Sequence, residues 1–303
     1  MMFENFLSPI DDYSDFAFRI LCQRYGAKAT CVPLVNSTAI SNKSEKVKEV
    51  DAQEDEKDLG VQIVGNVPEE MGLAAKRVVD YFPFVKWLNI NCGCPSQRTM
   101  TTGGGSAMLA FPDKIVQSVM EIKRQTELPV SVKIRIRRNF EETLEICKVL
   151  EKAGTDWIII HARTAQQGYS GNADWELIKK INERIKLPIV GNGDIRSLAQ
   201  GQEYVKKEYC ESFMIARAAM TNPKIFLGVT PETIEEKLGL LEEYMEIHQE
   251  YSPGALKVRE IKLKAVNFIS GVDHAAKYRS EICKSATVQE ILNIFNSAEP
   301  GSE

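Results

Sequence analysis

The stretch Val130-Ser131-Val132-Lys133-Ile134-Arg135, the helical pattern at 140–153 and the run Trp157-Ile158-Ile159-Ile160-His161 together decide the fold. Two short β-branched runs flank an amphipathic segment, which is the signature of a strand–helix–strand unit. In the first strand, Val132, Ile134 and Ile136 share one parity and suit packing against helices. Lys133 and Arg135 share the other and point to the opposite face. A lysine there is costly without an anionic partner, so it calls for either an internal ion pair or a ligand.

The same unit extends in both directions. Further strands are expected at 6–10, 29–35, 60–64, 85–91, 189–193 and 212–216, and further helices at 16–25, 70–81, 112–125, 174–184 and 198–206. Eight strands, mostly followed by helices, predict an α/β fold of the (β/α)8 TIM-barrel type rather than an open doubly wound sheet. No G-x-G-x-x-G follows the first strand, which counts against a dinucleotide-binding sheet. The charged stretch 41–58 reads as an exposed loop with a short helix. Beyond Pro223 the strand patterns stop, and 231–250, 254–269 and 286–297 read as helices. The expected organisation is a barrel over 1–226 and a small all-helical domain over 227–303, with 298–303 fraying.

Composition sets the outer limits. With 303 residues, 44% hydrophobic and 26% charged, the chain is an ordinary globular protein and not a disordered, collagen-like or disulfide-stapled one. Its apolar runs fall far short of the ~20 residues of a membrane span, and acidic Glu4 stands where a signal peptide has basic residues. A cytoplasmic, monomeric protein is expected. Seven scattered cysteines argue against a disulfide framework. Cys92-Gly93-Cys94 has no second Cys/His pair at ligand spacing, so no metal is expected. The net charge of −4 does not advertise nucleic-acid binding, yet it hides a partition. An acidic run over 232–250 precedes a basic stretch, and local potential can steer a phosphate backbone. A solvated helix face is the plainer reading of that stretch.

Chemistry on such a barrel sits at the C-terminal ends of the strands. Gln62, Asn91, Lys133, His161, Asn192 and Arg217 all fall there. Cys92 continues the apolar parity of Leu88 and Ile90, whereas Cys94 lies beyond the strand, in a turn held by Gly93 and Pro95.

These residues carry a resemblance. Asn91-Cys92-Gly93-Cys94-Pro95-Ser96, 103–109, Val132-Lys133-Ile134-Arg135 and His161-Ala162-Arg163-Thr164 resemble the tRNA-dihydrouridine synthase family. So do Gln167-Gly168-Tyr169, Asp174-Trp175, Asn192-Gly193-Asp194 and Asn222-Pro223. The resemblance implies an FMN-bearing barrel and a helical tRNA-binding domain. NADPH or NADH reduces the flavin, which then reduces the 5,6 double bond of a uridine in tRNA. Carried over by motif position, Cys94 is the general acid that protonates C5 after hydride reaches C6. A thiol suits that role, being mostly protonated at neutral pH and still able to give its proton up. Ser8, Pro9, Ile10, Gln62, Lys133, His161, Asn192, Gly193, Asp194, Ala216 and Arg217 line the flavin site, and Asn91 and Arg163 face the uridine. The family's usual Ala-Pro-Met, Thr-Glu and Gly-Arg are replaced by Ser8-Pro9-Ile10, Val32-Pro33 and Ala216-Arg217.

Lys257, Lys262, Lys264, Lys277 and Arg279 are expected to form a phosphate-facing surface. Lys257 and Lys264, two turns apart, share one face of a helix in this reading. A free-pyrimidine flavin oxidoreductase is the alternative enzyme, and a catalytically inert RNA-binding protein the non-enzymatic one.

Overall fold

The computed structural model describes residues 3–254 and 256–298. Eight parallel strands run in the order β1-β8-β7-β6-β5-β4-β3-β2, and a bridge between Phe6 and Ala29 joins the two ends. This is a (β/α)8 barrel. Its elements are β1 (Asn5–Leu7), α1 (Phe16–Arg24), β2 (Thr30–Asn36), α2 (Ser37–Asn42), β3 (Leu59–Val64), α3 (Pro68–Tyr81), β4 (Trp87–Cys92), α4 (Gln97–Met100) and α5 (Pro112–Gln125). Then follow β5 (Val130–Arg135), α6 (Phe140–Lys152), β6 (Trp157–His161), α7 (Trp175–Asn182), β7 (Ile189–Asn192), α8 (Leu198–Lys206), β8 (Ser212–Ile215) and α9 (Arg217–Thr221). Among the described residues no helix is long and apolar enough to cross a membrane.

Helix starts follow from local chemistry. Asp15, Asn139, Asp174 and Ser197 each accept a hydrogen bond from a backbone N–H three residues on, capping α1, α6, α7 and α8. Pro68 and Pro112 begin α3 and α5, where a missing N–H costs nothing.

Strand parity sorts the interior as expected. Val132, Ile134, Leu88, Ile90 and Cys92 join the core beneath the helices. Phe6, Trp87, Trp157, Ile159, Val190 and Met214 form a separate apolar cluster inside the barrel. The Trp87 and Trp157 rings lie 5.5 Å apart, and a Cβ on Gly60 would overlap the Trp87 ring, so only glycine fits there. In this barrel type, the mouth left for chemistry is the end where the strands finish.

The fold departs from expectation in two places. Segment 41–58 is not simply exposed: Val47, Val50, Ala52 and Glu56 are buried, and the Glu56 carboxylate pairs with the fully buried Arg19 at 2.6 Å. The C-terminal part holds four helices among the described residues rather than three: α10 (Ile234–Tyr251), α11 (Val258–Phe268), α12 (Ala275–Lys284) and α13 (Val288–Ser297). The extra helix is α12, which buries only Tyr278 and Ile282, too sparse an apolar face to announce a helix in the sequence.

The helical part packs directly on the barrel. A capping box of Thr233 and Glu236 starts α10. Its acidic run turns toward α1: Glu243 accepts from the Tyr25 hydroxyl and faces Arg24 at 3.5 Å, and Glu250 faces Arg24 at 3.7 Å. The Tyr244 hydroxyl donates to Asp15 at 3.0 Å.

Candidate active site

A cavity of about 1000 Å³ opens at the C-terminal ends of the strands. Every residue assigned by resemblance to the flavin site lines it: Ser8, Pro9 and Ile10 after β1, Gln62 on β3, Lys133 on β5, His161 on β6, Asn192, Gly193 and Asp194 at the end of β7, and Ala216 and Arg217 after β8. Asn91 and Cys94 line it too.

The interior polar groups are hydrogen-bonded in a row. Asn91 Nδ2 donates to Gln62 Oε1 at 2.7 Å, Gln62 Nε2 donates to Asn89 Oδ1 at 2.7 Å, and Asn89 Nδ2 donates to Ser131 Oγ at 2.7 Å. The Asn91 Oδ1 atom accepts from the N–H groups of Gly93 and Cys94, at 3.1 and 2.9 Å. Asn91 therefore fixes the turn that carries Cys94. The Cys94 thiol is partly exposed, 3.7 Å from Thr99 Oγ1, whereas Cys92 is buried outside the barrel wall.

Lys133 carries the site's distinctive charge. Its ammonium donates to Asn192 Oδ1 at 3.3 Å, and no carboxylate pairs with it among the described residues. Desolvation, reinforced by the Arg135 guanidinium, lowers its pKa to about 7. His161 is held neutral: burial first, then Lys133, Arg135, Arg163 and Arg217, bring its pKa down to about 2. Burial opposes the charge on Asp194, but the Ala173 N–H, Arg163 and Arg217 outweigh it and keep the carboxyl below its usual range. Gly193 has φ +127°, and a Cβ there would come within 2.9 Å of Ala173 Cβ and 3.2 Å of His161.

Two other assignments are not met, Arg163 at the cavity and Lys264 on the surface. Arg163 does not line the cavity; it is buried, pairs with Asp194 at 2.7 Å and donates to the Gly171 carbonyl at 2.6 Å, bracing the 164–173 segment. Lys264 does not face phosphates. It is fully buried, pairs with Asp15 at 2.7 Å and lies 4.1 Å from the Tyr13 ring centroid. The reason is its place in the stripe Ile261, Lys264, Ala265, Phe268, which is the inward face of α11. Lys257 is exposed but caps α11 rather than lying within it, so the shared face with Lys264 does not exist. Lys262 donates to the Cys283 carbonyl at 2.9 Å, and Arg279 approaches Ser270 Oγ at 3.4 Å. Lys277 is exposed.

Arg135 lines the cavity beside Lys133, as their shared parity predicts, whereas Tyr169 and Leu34 reach it although nothing in their strand or loop pattern places them there. Tyr169 lies on a loop with no periodicity to read. Leu34 arrives because the β2–β3 register shifts between Val32 and Val35, beside Pro33, and Leu34 takes φ +41°.

A parallel barrel with a thiol, a desolvated lysine and a neutral histidine converging at its C-terminal mouth defines a barrel enzyme. The family model for "Dihydrouridine synthase (Dus)" matches residues 6–301, and the chain belongs to that family. It is 29% identical to a probable tRNA-dihydrouridine synthase of Aquifex aeolicus, over 98% of this chain and 96% of the relative. It is 30% identical to tRNA-dihydrouridine synthase B of Pasteurella multocida, over 81% of this chain and 78% of the relative. Among solved structures it is similar in fold to DHODH of Eimeria tenella in complex with ferulenol, with a TM-score of 0.54, 14% identity and coverage of 82% and 85%. It is also similar to histamine dehydrogenase of Rhizobium sp. 4-9, with a TM-score of 0.58 and 13% identity over 80% of this chain and 49% of that longer one.

Proposed function

We propose that this protein reduces the 5,6 double bond of specific uridines in cytoplasmic tRNA, with FMN as its flavin, NADPH or NADH as the reductant and Cys94 as the proton donor. The observation that carries the reading is the convergence of the Cys94 thiol and the carboxylate-free Lys133 in one cavity, in a chain of this family.

The cavity fits a flavin. Lys133 is a desolvated cation without an anionic partner among the described residues, and Gly193, at φ +127°, lets the backbone at the β7 end pack where a Cβ would press on Ala173 and His161. Ser8, Pro9, Ile10, Gln62, Asn192, Ala216 and Arg217 would complete the walls. When bound, the flavin supplies hydride to the uracil ring. Lys133 would favour negative charge on the group it faces, by electrostatic stabilisation. His161 is neutral and contributes hydrogen bonding rather than charge. Cys94 holds the proton that C5 requires, and Asn91 fixes the turn that presents it. A target base cannot be reached while stacked, so it is drawn out of the tRNA into the mouth. Residues 1–226 carry this chemistry and 227–303 bind tRNA, with Lys257 and Lys277 as the exposed candidates.

Mapping dihydrouridine in tRNA from cells with and without the protein tests this. Loss at defined positions is expected; an unchanged map, with turnover of free uracil or orotate instead, contradicts it.

A further inference from the structure

We propose that Thr99 is a positioning residue for the proton transfer: its hydroxyl holds the Cys94 proton before the step and stabilises the thiolate that the step leaves. This rests on the reading of Cys94 as the proton donor given above. Cys94 Sγ donates to Thr99 Oγ1 at 3.7 Å, within reach of a sulfur hydrogen bond. A helical threonine ordinarily turns its hydroxyl back on a carbonyl three or four residues earlier. Thr101 and Thr102, just beyond, do so: Thr101 Oγ1 donates to the Gln97 carbonyl at 3.0 Å and Thr102 Oγ1 to the Thr99 carbonyl at 2.8 Å. Among the described residues the Thr99 hydroxyl has no such carbonyl, and its partner is the thiol.

Backbone contacts hold the pair together. The Ser106 N–H donates to the Cys94 carbonyl at 2.9 Å, and the Gly104 N–H to the Thr99 carbonyl at 3.2 Å. Between them Gly105, at φ +59°, touches both residues: a Cβ there would lie 2.6 Å from the Cys94 carbonyl oxygen and 2.9 Å from the Thr99 Cγ2 methyl. The methyl lies against Gly105 while the hydroxyl lies toward sulfur, and a β-branched side chain so placed has little freedom to turn.

The step balances on these atoms. The S–H bond breaks, its proton forms the C–H bond at C5 of the reduced uracil, and its electron pair stays on Cys94 as a thiolate. Thr99 Oγ1, an acceptor while the thiol is intact, then turns its own O–H to the thiolate, since a hydroxyl both accepts and donates. Hydrogen bonds to a charged group are the stronger kind, so Thr99 favours the products of the transfer. Thr99 is half-buried, so its hydroxyl also meets water, which returns a proton to sulfur after turnover and leaves hydroxide.

Thr99→Val keeps the side-chain shape and removes the hydroxyl, whereas Thr99→Ser keeps the hydroxyl and removes the methyl. In flavin-loaded protein, alkylation of Cys94 by iodoacetamide is followed by mass spectrometry, with the exposed Cys283 as reference in the same sample. At neutral pH Thr99→Val is expected to react about threefold more slowly at Cys94, because less thiolate is present although each thiolate attacks faster. The deficit is expected to vanish by about pH 10, where thiols ionise without help, and Thr99→Ser to match wild type throughout. Single-turnover dihydrouridine formation from reduced flavin is expected to fall about tenfold in Thr99→Val with tRNA affinity unchanged. Alkylation of Cys94 at the wild-type rate in Thr99→Val overturns the proposal, as does a deficit that Thr99→Ser shares or that persists at high pH. Wild-type protein that forms no dihydrouridine overturns the functional reading and this proposal with it, an outcome that the alkylation rates, measured without tRNA, keep apart from a failure of the contact.

Discussion

Lys133 and Lys264 are both drawn out of bulk water, in two different regions, and they have opposite surroundings. At the barrel mouth, Lys133 has an amide oxygen for a partner and an open cavity before it. At the seam between barrel and helices, Lys264 has the Asp15 carboxylate, the Tyr13 carbonyl and the rings of Tyr13, Phe18 and Tyr244 around it. Asp15 in turn caps α1. A buried cation whose partners are all internal is a structural fastening; one left without a counter-charge beside a cavity marks where an anion binds.

The largest effect expected from this contrast is on stability. Lys264→Ala strands Asp15 at the seam, and unfolding in denaturant is expected to show a loss of about 3–5 kcal/mol. Lys133→Met removes an unpaired desolvated charge and is expected to leave the ligand-free protein as stable or slightly more so. Equal destabilisation by the two substitutions would erase the distinction.

Binding is expected to show the reverse order. Lys133→Met weakens FMN affinity by about tenfold, whereas a folded Lys264→Met variant retains it. The pH dependence sharpens this. With a pKa of about 7, Lys133 is increasingly neutral as pH rises above that value and must take up a proton to meet an anion. FMN affinity therefore falls above about pH 7, by up to about tenfold per unit, and Lys133→Met flattens the slope. Affinity that rises with pH in that window would be the wrong sign.

The smallest effect lies on the helical surface. Replacing Lys257 and Lys277 together is expected to lower tRNA affinity several-fold and to reduce its salt slope by about two contacts' worth. An unchanged salt titration would leave both as ordinary solvated lysines.

The same contrast explains what can be read from the sequence. Strand parity places Asn91, Lys133 and His161 together because a period of two and a closed barrel leave little freedom at strand ends. Their roles come from the family resemblance. The seam is illegible because its partners are remote: Lys264 meets Asp15 across 249 positions, and nothing local marks the pair. Its position in the stripe with Ile261 and Phe268 is the available warning. Arg19 and Glu56 hide in the same way, since a charged run gives no sign of which carboxylate turns inward. Arg163 is misplaced because its strand-end position fits a cavity residue equally well, and only the carbonyls of Ser170 and Gly171 show where it points.

The most direct test of the central claim uses Cys94→Ala, loaded with FMN, reduced by NADPH and then mixed with tRNA lacking dihydrouridine. The flavin is expected to be reduced as in wild type, while dihydrouridine formation falls by at least about a hundredfold, the scale of a lost general acid. Dihydrouridine formed at the wild-type rate by Cys94→Ala would contradict the account.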